Sequence, residues 1–536
     1  MFSTLYRYIF KELFRIFLLT AVALTVVLSL SSLLEPIQEY GIGPSQVVDL
    51  LLCFSLIMLT FVLPIAALFG ASLSYGRLAA DNEIDAFKAS GVSPLSLTFP
   101  VFVLAMLVAM ANLILSFHVM PLFVHQSEQS IKADAKQILF RNLQRHGHYR
   151  LDNRPGKQSS VYADDVNPQK DLLAGVVVVD YRGGELEKII AVDRAHVTFD
   201  TNDQFSEVKI TAQNYVQMGS DWGTFKRLSL RHRVGSLLED KINFKRITEM
   251  KEIQADPLSF YPIKKRACDT SIQLFTELLY QDIQRQFQQG RRYVLGNDKQ
   301  HIELSSTTVQ MSDKHSIILT DNIDDEVDEV ELYIRTQGSP PSEISLQCKT
   351  ITLYLDGNEF SPHITLEFND ASNEQNTRVI SWEVIRDLRL PPSIQSHVSA
   401  SAILSHLTVD AINDALPMGP SEKLLNLQQL LTREINITNA DIQAEIHARL
   451  VFGIGCIPMI LIGAALGIIK RGGHLLSAFG ISFIPAMVLL VAIVSGKQLQ
   501  TNMGSNQTIS GLGVMWTGLG ILFLMAFYLY RRLLRH

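Results

Sequence analysis

Six long stretches without a charged residue constrain this chain more than any other feature of its sequence. Each stretch has 19 to 26 residues, and a helix needs roughly 20 residues to cross a hydrocarbon core of about 30 Å. The sequence therefore predicts an α-helical membrane protein with six transmembrane helices and excludes a wholly soluble protein. The stretches are Ile16–Leu34, Leu50–Tyr75, Leu95–Phe117, Leu450–Ile469, Leu475–Ser495 and Leu512–Tyr530.

The six stretches fall into two groups of three. The two groups enclose a polar region of about 330 residues, which is long enough to fold as a domain of its own. We therefore expect a 3+3 arrangement, with helices 1–3 in residues 1–120, a separate domain in residues 121–440 and helices 4–6 in residues 441–536.

Lys and Arg residues are distributed unequally among the short flanks of the six stretches. Cytoplasmic flanks of membrane proteins carry an excess of Lys and Arg. The expected topology therefore has both termini in the cytoplasm and the large polar domain on the outer face. The cytoplasmic set is Arg7, Lys11, Arg15, Arg77, Lys88, Lys470, Arg471, Arg531, Arg532 and Arg535, against Lys497 alone on the other side.

Short alternating segments bounded by Gly, Pro, Asn and Asp fill the polar region and predict β-strands. Val176–Tyr181 and Ile189–Phe199 predict a hairpin around Arg182-Gly183-Gly184, with a third strand at Val208–Val216. Alternation gives a strand one solvent-exposed face and one buried face, so an all-β domain, an antiparallel sandwich or roll, is expected. The segments after Asn297 could form a second small sheet.

Two helices are expected to interrupt these strands. Apolar residues recur at helical spacing from Ile272 to Phe287 and end at Gly290, and Ser421–Arg433 has a similar pattern. The acidic run Asp321–Glu329 is interpreted as a solvated loop.

Neither the histidines nor the cysteines of the polar region make a strong site. His146 and His148 lack a third ligand nearby, so no metal site is predicted. Cys268 and Cys348 could form a disulfide only if this region faces an oxidising compartment.

Several kinds of chemistry are missing from the sequence. No Gly-Lys pair is followed by Ser or Thr, so the chain has no phosphate-binding loop of its own. The six stretches contain no ionisable group of the kind that carries ions or protons, and neither G-x-S-x-G nor H-E-x-x-H occurs. The net charge of −6 gives no reason to expect nucleic acid as a partner. We therefore expect a non-enzymatic transport module that binds no cofactor and takes its energy from a partner.

The segment between the second and third stretches is the best candidate for a partner contact. Asp81 or Asn82 can cap a short helix, and Glu83 and Asp85 lie near its positive end. Gly91 and Pro94 can stop the helix. We expect a helical segment at residues 77–91, parallel to the membrane.

The apolar residues of this segment allow two interpretations. Ile84 and Phe87 are three residues apart and lie on one side of a helix. That side could insert into a groove on a cytoplasmic protein, with Phe87 as anchor and Glu83 as charged contact. The alternative is a plain interfacial loop.

Small residues and prolines inside the stretches indicate close helix packing. Gly463 and Gly467, and likewise Ala66 and Gly70, have the spacing that lets helices approach. Pro64, like Pro458 and Pro485, can kink its helix. These residues serve either packing within one chain or a contact or gate between two chains.

Taken together, several sequence features resemble the LptF/LptG (YjgP/YjgQ) family of lipopolysaccharide-export permeases. The most specific are the run from Asn82-Glu83-Ile84 to Ser93 and the Glu445-Ile-His-Ala-Arg449 run before the fourth stretch. Tyr6, Glu12 and the 3+3 layout around a β-rich domain add to the resemblance, which covers residues 1–125 and about 435–536.

The resemblance implies an ABC-type exporter in a bacterial inner membrane. In this family two permease chains sit on a separate ATPase, which uses ATP and Mg²⁺, and lift lipopolysaccharide from the membrane. A periplasmic β-jellyroll passes the lipid to bridge proteins of similar rolls. Residue by residue, the resemblance makes Glu83 the acid that contacts the ATPase, with Asp81, Ile84 and Phe87 beside it, and Gly91 and Ser93 the turn after it. Glu445 and Arg449 then belong to the helix leading into span 4.

Two departures from the family pattern limit what the resemblance implies. The region between the spans is longer than usual, so residues 240–338 are expected to be an insertion of unknown role. The outer end of the first stretch, Ser29–Glu35, has no Lys or Arg to hold lipid phosphates. The cargo is therefore lipopolysaccharide or another glycolipid, and the residues do not distinguish an LptF-type from an LptG-type chain.

Two other functions remain open from the sequence. One is a membrane-anchored scaffold or assembly protein whose β domain binds partners. The other is a lipid-modifying enzyme with an outer active site, although no cluster of acids and histidines indicates one.

Overall fold

The computed structural model describes most of the 536-residue chain and divides it into two compact units. The first unit comprises residues 1–252 and 438–536, and the second comprises residues 253–437. Some predictions concern residues outside the described ones, namely His146, Asp321–Glu329, Lys470 and Arg471. Not described are residues 1, 41–43, 126–139, 141–142, 146, 152–156, 169, 183–184, 203–204, 220–222, 235–240, 298–299, 307, 313–315, 321–329, 337–341, 359, 373–377, 396–402, 470–474, 503–509 and 536.

Among the described residues, six helices are long and apolar enough to span a membrane, as the sequence predicts. All but the third are longer than their charge-free stretches, because flanking residues continue the helical backbone; in the third, the regular α-helix covers only part of the stretch. They are α1 (Phe2–Tyr40), α2 (Pro44–Ala80), α5 (Phe99–Ile114), α11 (Glu422–Ile469), α12 (Leu475–Thr501) and α13 (Gly511–Arg535). A π-helix at Leu115–Val119 extends α5, and helical residues continue to His125.

The spanning helices share one apolar core, formed almost wholly by aliphatic and small side chains. α1 packs on α2, α2 also contacts α5 and α12, and α12 packs on α13. Two short helices, α3 (Glu83–Ala89) and α4 (Pro94–Leu97), lie in the chain between α2 and α5.

The first unit also contains an antiparallel sheet of seven strands. The predicted hairpin is confirmed, because Val176 pairs with Val192 and Val179 with Ile189, and the third strand pairs next to it. The strand order is β1-β2-β4-β5-β6-β7, with β3 on β4. The strands are β1 (His148–Leu151), β2 (Lys157–Tyr162), β3 (Asp165–Asn167), β4 (Leu172–Arg182), β5 (Glu185–Asn202), β6 (Phe205–Gly219) and β7 (Gly223–Val234).

The second unit contains a nine-stranded antiparallel sheet, so the segments after Asn297 do form a second sheet, larger than expected. Its order is β10-β11-β14-β15-β13-β12-β9-β8, with β16 on β15. The strands are β8 (Tyr293–Gly296), β9 (Gln300–Ser305), β10 (Thr308–Ser312), β11 (Ser316–Thr320), β12 (Val330–Thr336), β13 (Ser342–Cys348), β14 (Thr350–Asn358), β15 (Ser361–Ser372) and β16 (Arg378–Leu388).

Alternation along these strands matches their burial. Ile364, Leu366 and Phe368 are each 0% exposed, while Thr365 and Glu367 between them are partly exposed. The buried side chains face the core because successive residues of a strand point to opposite faces. Cys268 and Cys348 both carry thiols and form no disulfide with each other among the described residues.

An all-β interpretation of the middle region is wrong in detail, because helices occupy a substantial part of it. The predicted helix at Ile272–Phe287 is the second half of α7 (Tyr261–Gln288), which contacts β8, β10, β11 and β14. The others are α6 (Ile247–Ala255), α8 (Pro392–Gln395), α9 (Ile403–His406) and α10 (Val409–Ala415).

The helix predicted at Ser421–Arg433 and the fourth span are one continuous helix of 48 residues. No glycine or proline interrupts the intervening residues 434–449, so the backbone has no reason to break. Ser421 precedes the first turn of this helix and accepts a hydrogen bond from Leu424 N. Buried Glu277 of α7 in turn accepts hydrogen bonds from the backbone N and the hydroxyl of Ser421.

Candidate functional site

The segment between α2 and α5 is built from two short helices separated by tight turns. Asn82 has φ 60° and Gly91 has φ 83°, a backbone conformation that Gly and Asn adopt most readily. These two residues isolate α3 from the helices on either side. The helix predicted for residues 77–91 is therefore shorter, because Arg77 to Ala80 belong to α2.

The caps in this segment differ from those expected. Asn82 occupies the position before α3 but makes no capping hydrogen bond with its side chain, because its left-handed backbone turns it away. Ser93 lies in the turn after α3, and its hydroxyl accepts a hydrogen bond from Ser96 N at 3.2 Å. Ser93 thus starts α4, with Pro94 in the first turn.

The apolar side of α3 faces the chain itself. Ile84 is 3% exposed within the core of the spanning helices, and Phe87 packs against the same core. The prediction that this side inserts into a partner is therefore wrong for Ile84, whose surface is already covered. Spacing alone correctly placed both residues on one side but could not tell what covers it.

The outward part of this segment is mainly acidic and small. Asp81, Ala86 and Ala89 are exposed, and Glu83 is half-exposed in the first turn of α3. Asp85 is the third acid in this turn region, and Lys88 is the only basic residue from 81 to 89. A surface of this kind suits a complementary basic surface.

Contacts from α1 and α2 hold the segment in place. Glu12 pairs with Arg77 at 3.0 Å, and the hydroxyl groups of Tyr6 and Ser96 are hydrogen-bonded. Tyr75 donates a hydrogen bond to Leu97 O at 2.7 Å. Tyr6 of α1 and Tyr75 of α2 therefore hold the α4 end of this segment, while Glu12 holds the last turn of α2, from which the segment starts.

A second cluster lies where α11 enters its apolar part. Glu445 and Arg449 are one helical turn apart, and Arg449 Nε lies 2.8 Å from Glu445 Oε1. Both side chains are buried, at 8% and 3% exposure. The other carboxylate oxygen of Glu445 pairs with Lys497 of α12.

Arg449 also reaches across to the residues before α6. Its Nη1 and Nη2 donate to the carbonyl oxygens of Lys245 and Asn243, at 3.2 and 2.8 Å. The ring of Phe117, from the π-helix, lies 5.7 Å from the guanidinium. Neighbouring His447 accepts a hydrogen bond from Trp516 of α13 at 3.3 Å.

We call Glu445, His447, Arg449 and Lys497 the α11 hub. Its side chains join α11 to α12, α13, the π-helix and residues 243–245. One carboxylate is matched by two cations, and the guanidinium is further satisfied by carbonyl groups, an arrangement that fixes positions and offers no nucleophile. Glu445 and Arg449 were predicted from the sequence, whereas the role of Lys497 was missed.

The predicted packing residues are used within the chain. A Cβ on Gly463 would lie 2.8 Å from Leu68 O, and one on Gly467 would lie 2.7 Å from Ser72 O. A Cβ on Gly70 would lie 3.2 Å from Phe17 Cα. Pro64 lies inside α2 and is buried. These faces are therefore filled by α1, α2 and α11 of one chain.

Polar residues of the third span also have defined places. Asn112 is buried and donates to Thr60 O of α2 at 2.5 Å, which satisfies a polar group that would be costly in a membrane. His118 is exposed in the π-helix.

A comparison with protein-family models matches the chain to the lipopolysaccharide export system permease LptF/LptG, over residues 7–218 and 274–532. The matched residues include residues 81–98 between α2 and α5, called the α3 segment, and the whole α11 hub. Residues 219–273 lie outside the match; the insertion expected at 240–338 overlaps them only in part. No curated protein matches the chain.

Proposed function

The chain belongs to the LptF/LptG family of lipopolysaccharide export permeases, and from this membership we propose that it is the membrane subunit of an ABC-type lipid exporter. It is a transport subunit of multi-pass type and not an enzyme. In the proposal, two permease chains bind a separate ATPase that uses ATP and Mg²⁺, and this chain binds no cofactor.

The observation that carries the proposal is the construction of the α3 segment. It has an acidic outer surface, an apolar side covered by the spanning helices, and hydrogen bonds from Tyr6 of α1 and Tyr75 of α2. A partner that pushes on Asp81 and Glu83 would therefore move the spanning helices rather than a loose loop. Energy would enter through this contact.

We place both termini and the α3 segment in the cytoplasm of a bacterial cell, with the inner membrane as the site of the spans. The excess of Lys and Arg on one side supports this orientation. The β-rich residues then lie in the periplasm, where they would act as a jellyroll-like receiver and pass lipid to bridge proteins. The proposed cargo is lipopolysaccharide or a related glycolipid.

Co-purification tests the proposal directly. The tagged chain is purified from membranes as wild type and as Glu83→Lys, and ATP hydrolysis is measured with and without lipopolysaccharide. We expect an ATPase to accompany the wild type and to be lost, with its activity, from the variant. Asp410→Lys, an exposed acid of α10, is the matched charge-reversal control and should leave the association unchanged.

A different result would favour a different function. If no ATPase accompanies the wild type in membranes that keep complexes intact, the exporter proposal fails. A membrane-anchored scaffold or assembly protein then becomes the better assignment.

A further inference from the structure

An apolar cleft of about 410 Å³ opens among α4, α5, α11 and α13 of the first unit. Its volume falls in the range of about 300–1,000 Å³ that is usual for ligand sites. Aromatic rings form most of its rim, and Phe99, Phe102, Phe523 and Phe527 are 43 to 69% exposed. The cleft is separate from the α11 hub and from the outer face of α3.

The position of the cleft within the spans decides what can fill it. Its lining runs from Leu95 to Phe102 on one side and from Phe523 to Tyr530 on the other. The run on α13 covers about 10 Å along the helix axis at about 1.5 Å per residue. A surface of a spanning helix that no protein covers is solvated by lipid chains, so the natural occupant is an acyl chain.

A cation lies next to one end of this cleft. Arg531 follows Phe527 by four residues and therefore lies one turn further along nearly the same side of α13. It is exposed. Arg532, also exposed, is rotated by about 100° from Arg531 and lies on the side of the helix away from the cleft.

We propose that this cleft binds one acyl chain of an anionic phospholipid, with the lipid phosphate on Arg531. The leaflet rests on the orientation given under the proposed function, which makes this a lipid of the cytoplasmic leaflet beside the α3 segment. An acyl chain gains little by leaving other lipid chains, because these are as apolar as the cleft. Selectivity therefore comes from the headgroup and the Arg531 guanidinium.

Native mass spectrometry of the delipidated full-length chain tests the proposal, with dioleoyl phosphatidylglycerol and dioleoyl phosphatidylethanolamine as probes. We expect one phosphatidylglycerol to be retained, and phosphatidylethanolamine to bind more weakly. Arg531→Glu should weaken the binding of phosphatidylglycerol by at least about fivefold. Ala526→Leu, which fills the cleft from a buried lining position, should weaken the binding of both lipids.

Controls on the same helix make the outcome decisive. Arg532→Glu changes the charge equally, and Ile521→Phe adds bulk at a side chain that is 56% exposed on the side of α13 away from the cleft; both should retain the lipid. Equal retention by Arg531→Glu and wild type would overturn the proposal, as would equal loss with Arg532→Glu. Arg531 is exposed, so its variant remains informative even if Ala526→Leu does not fold. Lipid retention requires no ATPase, so failure of the exporter proposal would be seen separately.

Discussion

The buried charged side chains of the α11 hub show how single residues determine which substitutions the fold of this chain tolerates. Removing two charges from solvent is costly, and their attraction repays the cost only where further hydrogen bonds satisfy the remaining groups. Here Lys497 and two carbonyl groups provide them. The Glu12–Arg77 pair differs, because its side chains are 21% and 46% exposed and gain little from pairing.

Removing one member of the buried pair should therefore be severe. We expect Glu445→Ala to lower the free energy of unfolding by about 3–5 kcal/mol, since it leaves Arg449 buried without its carboxylate. Glu12→Ala, the matched control at the exposed pair, should cost at most about 1 kcal/mol. Chemical denaturation of the purified chain in lipid nanodiscs measures both, and similar losses for the two variants would show that the hub is not buried.

Substitutions of Ile84 and Glu83 should affect the stability of the chain differently, although the two residues are adjacent. Ile84→Ala removes a side chain from the core of the spanning helices and should lower stability by about 2–5 kcal/mol. Glu83→Ala lies on the half-exposed side and should change stability by no more than about 0.5 kcal/mol. Thermal unfolding of both variants without any partner gives the comparison. A stable Ile84→Ala variant would mean that this residue is free to face a partner.

Local spacing in the sequence predicts some side-chain contacts of single residues and misses others. Spacing placed Ile84 and Phe87 on one side of a helix, and the i,i+4 spacing of Glu445 and Arg449 made their pairing natural. The third member, Lys497, is 52 residues away from Glu445, and no local pattern indicates that contact. Asn82 is likewise a residue type that often caps helices, but here it makes no capping hydrogen bond. Its positive φ is set by the turn that joins α2 to α3, which the residue type alone does not predict.

At the scale of elements, the close contact between α2 and α11 depends on Gly463 and Gly467 of α11. A Cβ on Gly467 would lie 2.7 Å from Ser72 O and 2.9 Å from Gly76 N. Both neighbours are backbone atoms, which cannot move aside as a flexible side chain can. The helices would have to separate to accept any larger residue.

Gly467→Ala should therefore destabilise the chain by about 1–3 kcal/mol, the usual cost of overpacking. Gly520→Ala is the matched control, since that glycine is also helical and a Cβ there would meet nothing within 4 Å. The control should be neutral or more stable by up to about 1 kcal/mol, because Ala favours helix. Melting temperatures in nanodiscs of one composition test this, and a tolerated Gly467→Ala would disprove the close contact.

Helices and strands were largely predictable because their signals are local. Charge-free length indicated the six spanning helices, and alternation indicated β4, β5 and β6. The order of the nine-stranded sheet was not predictable, since β15 pairs with β13, β14 and β16 through contacts distant in sequence. The continuity of α11 was missed because its side chains change from polar to apolar at about residue 449 while the backbone stays helical.

At the scale of the whole molecule, the proposed orientation can be tested with reporters. A fluorescent protein fused after the last residue should fold and fluoresce in the cytoplasm. Alkaline phosphatase fused after Gly296, in the β-rich region, should be active because it needs an oxidising compartment. The reciprocal fusions serve as controls and should be silent. The opposite pattern would invert the topology.

The packing of α2 against α11 has a consequence for how the protein is made. Leu68 meets Gly463 and Ser72 meets Gly467, and the members of each pair are 395 residues apart in the chain. At about 5–20 residues per second, translation from one member to the other takes roughly 20–80 s. For most of that interval the first three spanning helices are complete, yet α11, which will cover this surface of α2, has not been made. Newly made chains therefore depend on lipid or an insertion factor to shield that surface until synthesis is nearly complete.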